Sequence, residues 1–172
     1  MSKAQVGRNS RFFRWAAKGS KEMEAQLMHA LFSFSPMLEE AGFKLTEACF
    51  DGGVAPENTI NYERERSGGQ VDFVMIIFDK FHRPKFQVVF GSKEFEPPHK
   101  WLLAGSLVWK QESDLQKFKW WGPRWWHAHK HKILALEIER VATLLPGVSN
   151  FLAGEAAGAN IWQDEIKPES HA

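Results

Sequence analysis

Between Lys117 and Lys132 the chain alternates cations with flat aromatic rings: Lys117-Phe118-Lys119-Trp120-Trp121-Gly122-Pro123-Arg124-Trp125-Trp126-His127-Ala128-His129-Lys130-His131-Lys132, with no acid. That mixture suits a nucleic acid, because cations neutralise phosphates and each indole face can stack a base for ~1–3 kcal/mol. The N-terminal stretch repeats the chemistry, with Arg8, Arg11 and Arg14 set around Phe12, Phe13 and Trp15. The same residue types serve other ends. Trp and Arg are enriched at the hot spots of protein interfaces, and Trp with Lys and Arg suits a membrane surface. Indoles also fill the space between a sheet and a helix while long basic side chains carry their charge outward. Four neighbouring Trp that all faced water would make a patch soluble monomers rarely show. The candidate partner- or nucleic-acid-binding residues are therefore Arg8, Arg11, Arg14, Trp15, Lys119, Trp120, Trp121, Arg124, Trp125, Trp126 and Lys130.

The three histidines at 127, 129 and 131 invite a metal reading. On a helix only His127 and His131 share a face, at i and i+4. Zinc takes three or four ligands, and no carboxylate lies nearby in sequence to orient the imidazoles. With Lys130 and Lys132 alongside, a solvated helix start is the simpler account, and no metal or cofactor is expected. Among the carboxylates, Glu63 and Glu65 fall on one face of a strand and Arg64 and Arg66 on the other, which reads as a solvated strand with cross-strand ion pairs. A metal-dependent nuclease would follow an acid with an acid-x-Lys on the next strand. Asp72 is in a suitable strand, but Gln87-Val88-Val89 lacks the lysine. Carboxylate catalysis would need Asp72, Asp79, Glu63 and a histidine to converge in one pocket. Cys49 is the single cysteine; it excludes an internal disulfide, fits a reducing compartment, and reads as a small buried hydrophobe. Phosphate loops, dinucleotide fingerprints, nucleophile elbows and zinc-protease helices are missing from the sequence. What remains is binding rather than catalysis.

The elements that must position these residues follow from pattern. With 172 residues, 44% of them hydrophobic and 25% charged, the chain suits one domain that buries roughly 70% of its unfolded surface. No run nears the roughly 20 apolar residues of a membrane span. No leader-like apolar stretch follows the basic start, since Arg14 interrupts Phe12, Phe13 and Trp15; a cytoplasmic location is the expectation. The formal net charge of +1 hides an uneven distribution. Residues 1–21 and 117–132 carry no acid, whereas residues 133–172 hold six acids and two bases.

Met23, Leu27, Leu31, Phe34 and Leu38 recur at helical spacing, with Ser20 as N-cap, an interruption at Pro36 and a stop at Gly42. Phe43–Phe50, Thr59–Arg66, Val71–Phe78 and Lys85–Gly91 read as strands separated by short turns, and Leu107–Trp109 as a possible fifth. Leu134, Ile138, Val141 and Leu145 mark a last helix from about His127 to Leu145, ended by Pro146-Gly147. The layout predicts a two-layer α+β domain: an antiparallel meander of four to five strands packed against an N-terminal and a C-terminal helix. Its expected bounds are 20–158, with a basic aromatic arm at 1–19 and a polar tail at 159–172.

The run Pro36-Met37-Leu38-Glu39-Glu40-Ala41-Gly42-Phe43-Lys44 resembles the helix-to-strand step of a family of uncharacterised small bacterial α+β domains similar to immunity partners of polymorphic toxins. Ile76-Ile77-Phe78-Asp79-Lys80-Phe81 and Lys85-Phe86-Gln87-Val88-Val89-Phe90-Gly91 resemble two of that family's meander strands. The resemblance spans about residues 25–110. It implies the same fold and a non-catalytic role, neutralising a toxin by binding it. The leading expectation is thus a protein partner; the alternative is a nucleic-acid-binding module built from the basic arm and segment 117–132. The sequence leaves the partner's identity and the oligomeric state open.

Overall fold

A computed structural model describes residues 21–49, 59–79, 84–94, 101–109, 119–123 and 130–164, with the backbone alone for 21–24, 49, 130 and 131. Helix α1 (Lys21–Glu40) leads into strands β1 (Lys44–Cys49), β2 (Thr59–Arg66), β3 (Gln70–Phe78), β4 (Phe86–Glu94) and β5 (Trp101–Leu107). Helices α2 (Lys130–Ala142) and α3 (Leu145–Leu152) and a short strand β6 (Ile161–Gln163) complete the order. Among the described residues no helix is long and apolar enough to cross a membrane.

Helix α1 forms because Leu27, Ala30, Phe34 and Leu38 place one fully buried stripe along it. Pro36 does not divide it: the helix is continuous from Lys21 to Glu40. It ends in a Schellman motif. Gly42 takes φ 84°, its N–H donates to Glu39 O at 2.9 Å, and the Phe43 N–H donates to Leu38 O at 2.9 Å. At the other end of the chain, Pro146 does not stop a helix but starts one. It stands in the first turn of α3, where its missing N–H has no helical partner to lose. The expected single C-terminal helix is therefore two, α2 and α3, parted near Leu144.

The sheet is one antiparallel meander in the order β1-β2-β3-β4-β5-β6. It has six strands rather than the four to five the pattern suggested. The extra strand, Ile161–Gln163, comes from the start of the stretch read as a polar tail, and its three residues are too short to display an alternation. It is held by Trp162 opposite Ser106 and by a reciprocal contact beside the strand, where Val108 N–H donates to Asn160 O at 2.8 Å and Asn160 Nδ2 donates to Val108 O at 3.0 Å.

Register aligns Ile60 with Ile76 and Val88, and Tyr62 with Val74 and Phe90. These even-numbered positions meet Leu27, Phe34, Leu38, Leu134, Ile138, Val148 and Phe151 of the three helices in one core. Each such side chain contributes on the order of 1.5–3 kcal/mol by leaving water. The two-layer α+β arrangement is thus helices on one face of the sheet. Gly105 shows how close the packing is. It pairs with Phe90 across β4 and β5, and a Cβ there would lie 2.6 Å from Phe90 Cε2 and 2.7 Å from Trp162 O. Gly105→Ala is expected to lower stability by about 1–3 kcal/mol, since neither the ring nor the β6 backbone has room to withdraw. An unchanged denaturant midpoint would contradict this close approach.

Candidate functional site

Strand β5 pairs with β4 only from Val89 to Lys93, so the Phe86 end of that edge is open. Trp121 takes it. Its N–H donates to Phe86 O at 2.7 Å and its carbonyl accepts the Phe86 N–H at 2.9 Å. The indole Nε1 donates to Leu107 O at 3.3 Å, and the ring is only 2% exposed. Trp121 is therefore a core residue that extends the sheet, and it leaves the set of candidate surface residues. A single-residue bridge has no periodicity, so the sequence could not distinguish it from its exposed neighbour Trp120.

The cations around it are already engaged. Lys119 Nζ lies 2.9 Å from Asp164 Oδ1, the oxygen that also accepts Trp162 Nε1 at 3.0 Å. Trp120 is 37% exposed, and Lys85 Nζ sits 4.5 Å from its ring centroid while reaching Asp79 Oδ2 at 3.4 Å. Arg140 of α2 places its guanidinium 5.7 Å from the Trp109 ring and 5.6 Å from that of Trp121. Its Nη1 is 4.0 Å from Glu137 Oε2. Burial pushes the Glu137 carboxyl above the usual carboxylate range, with Arg140 pulling the other way. Arg8, Arg11, Arg14, Trp15, Arg124, Trp125, Trp126 and His127 lie outside the described residues, as do the side chains of Lys130 and His131. Among the described residues no three His, Cys, Asp or Glu side chains gather as metal ligands.

The carboxylates do not converge. Glu63 lies on the sheet face away from the helices, 3.3 Å from Lys93 Nζ. Asp79 follows β3 at its far end from Asp72, and at the rise of a strand the two are roughly 23 Å apart. Asp72 itself organises a centre that the sequence reading did not identify. Arg64, Asp72 and Ser92 align across β2, β3 and β4 on the helix-covered face. Asp72 is fully buried. Its Oδ2 accepts Arg64 Nη2 at 2.7 Å and Nε at 3.2 Å, with Arg66 Nε at 3.5 Å. Arg64 Nη1 goes on to donate to Ala41 O at 2.8 Å and Ser149 Oγ at 3.0 Å, with the guanidinium 4.4 Å above the Phe43 ring. Arg66 Nη1 donates to Leu152 O at 2.9 Å. One carboxylate thus orients two guanidiniums onto the C-terminal carbonyls of α1 and α3, where the helix dipoles favour positive charge. The second oxygen, Asp72 Oδ1, and the neighbouring Ser92 Oγ are buried with no hydrogen-bond partner among the described residues. The signal for this centre was the turn Ser67-Gly68-Gly69, which sets Arg64 opposite Asp72.

On the same face, Tyr62 OH and Ser35 Oγ share a 2.7 Å hydrogen bond. Burial pushes the Tyr62 phenol up to about 12; the Ser35 contact opposes the rise and Glu39 adds to it. The unfolded chain releases this proton near 10. The stabilising difference is therefore complete below pH 10 and declines between pH 10 and 12, at about 1.4 kcal/mol per pH unit. Tyr62→Phe should flatten that decline in urea midpoints taken from pH 9.5 to 11.5. Equal slopes for the two proteins would refute the assignment.

Large apolar side chains also stand outward. Phe32 is 69% and Leu136 64% exposed, and Met28, Trp101 and Leu102 are exposed too. Trp101 meets the edge of Phe73 at a centroid distance of 5.3 Å, on the sheet face away from the helices. Among the described residues, the surface near Trp121 offers aromatic rings and the ion pairs of Lys119 and Lys85, and Glu63, Asp72 and Asp79 do not converge. Comparison with family models, with curated proteins and with solved structures yields no match, so the functional reading rests on this geometry.

Proposed function

We propose that this chain is a non-catalytic binding protein whose partner is another protein. The observation that carries the reading is that Lys119 of the Trp-rich segment and Lys85, stacked beside Trp120, are engaged with Asp164 and Asp79, while Lys132 at the segment's end is exposed. A phosphate backbone would have to displace those carboxylates. What the described surface presents instead are Trp120 and, at the opposite end of β4 from the Phe86–Trp121 bridge, Trp101 and Leu102, residue types that suit a desolvated protein contact. The resemblance over residues 25–110 supports the finer form of the proposal, a toxin-neutralising, immunity-like partner. The nucleic-acid alternative draws mainly on Arg8, Arg11, Arg14, Trp15 and Arg124, which lie outside the described residues.

The test is capture from an extract of the native host, with nuclease added, at about 0.5 M salt, where exposed charge pairs are largely screened. The expected result is one protein retained in stoichiometric amount and reduced by Trp101→Ala or Trp120→Ala. Retention of nucleic acid alone, released by nuclease or salt, would sink the proposal.

A further inference from the structure

The Arg64–Asp72–Arg66 centre leaves two polar atoms idle, Asp72 Oδ1 and the neighbouring Ser92 Oγ. Asp72 is 0% and Ser92 6% exposed, and neither atom has a hydrogen-bond partner among the described residues. Asp72 of β3 stands directly opposite Ser92 of β4, on the helix-covered face. The row beside them on that face is Val74 and Phe90, and across β5 Ser92 meets Leu103, so these neighbours bring no polar side-chain atom. Gln70 and Glu94, in the row on the other side, bond neither atom. A buried carboxylate oxygen and a buried hydroxyl each lose their hydration without return unless something bonds them.

We propose that this pair is the binding site of one internal water molecule, which donates to Asp72 Oδ1 and accepts the Ser92 hydroxyl proton. Spacing, charge and enclosure each select that ligand. Opposite residues of an antiparallel pair have Cα atoms about 4.5–5.5 Å apart. Side chains that rise together from the sheet keep a separation of that order, too wide for the ~2.7 Å of a direct O–H···O bond. One water spans it, because two bonds of ~2.8 Å meeting at a tetrahedral angle bridge about 4.5 Å. The carboxylate oxygen only accepts, so it rejects an anion. A cation is disfavoured too. Arg64 and Arg66 already set two positive charges on the one carboxylate, and no three His, Cys, Asp or Glu side chains gather among the described residues. A neutral molecule that both donates and accepts remains, and the burial of both side chains selects the smallest one. With it in place, Asp72 ties β4 into the same clasp as β2 and the C-terminal ends of α1 and α3.

The site does not depend on the protein contact proposed above, so the two stand or fail independently. The test is a crystal structure of the full chain at a resolution that orders solvent, joined by water–amide cross-relaxation measured by NMR. The expected result is one water within hydrogen-bonding distance of both Asp72 Oδ1 and Ser92 Oγ. Cross-relaxation peaks from water to the Asp72 and Ser92 amides are expected as well. They should be lost in Ser92→Val, whose methyl groups replace the hydroxyl and fill the gap. A Ser92 hydroxyl bonded directly to Asp72 Oδ1, a dry gap between the two oxygens, or peaks indifferent to Ser92→Val would each overturn the proposal.

Discussion

Asp72→Ala is expected to lower stability by about 3–5 kcal/mol, the range for removing one partner of a buried ion pair. Asp72 is fully buried, and the Arg64 side chain that it holds is only 18% exposed. Without the carboxylate, Arg64 remains in the core with its charge uncompensated. The consequences spread, because Arg64 also caps Ala41 O at the end of α1 and bonds Ser149 in α3, and Arg66 caps Leu152 O. Asp72→Asn keeps the shape and one acceptor and should lose less than the alanine variant. Denaturant unfolding at neutral pH measures both. A loss below about 1 kcal/mol for Asp72→Ala would mean the pair is solvated and the clasp unimportant.

Trp121→Ala should be comparably severe, about 3–5 kcal/mol. The ring is part of the core beside Phe34 and Phe86, so truncation leaves a cavity, and the Leu107 carbonyl loses its indole donor. Trp120→Ala removes a half-exposed ring and should stay within about 1 kcal/mol. The contrast between two adjacent tryptophans is the informative readout. Similar thermal midpoints for the two variants would show that Trp121 does not sit in the core as described.

The fold was largely legible because its strongest signals are periodic. The stripe of α1 and the alternation of Phe86, Val88 and Phe90 state which face is buried, and the unbroken apolar run Val74–Phe78 marks an interior strand of the sheet. The stripe Leu134, Ile138, Val141 and Leu145 read correctly as core, but its end did not, because Pro146 is compatible with both the end of one helix and the first turn of the next. Strand β6 was missed for want of length.

The site was less legible because it depends on pairing between distant segments. The alternation set Arg64 and Arg66 on the face opposite Glu63 and Glu65 but named no partner for them; Arg64 points under α1 and α3 because Asp72 lies directly opposite. The Trp-rich segment looked uniformly cationic because Asp164, which neutralises Lys119, is far away in sequence. Met28 and Phe32 went unremarked because they sit on a helix already accounted for by its buried stripe.

The central claim is that the cations and rings of the Trp-rich segment serve the fold and a protein contact rather than a polyanion. It is tested most directly by titrating single-stranded and duplex oligonucleotides into the full chain and following tryptophan fluorescence at low and physiological salt. The predicted result is no saturable quenching at either salt concentration. Saturable quenching whose affinity falls with salt at a log–log slope near about −5, as for roughly six phosphate contacts, would contradict it.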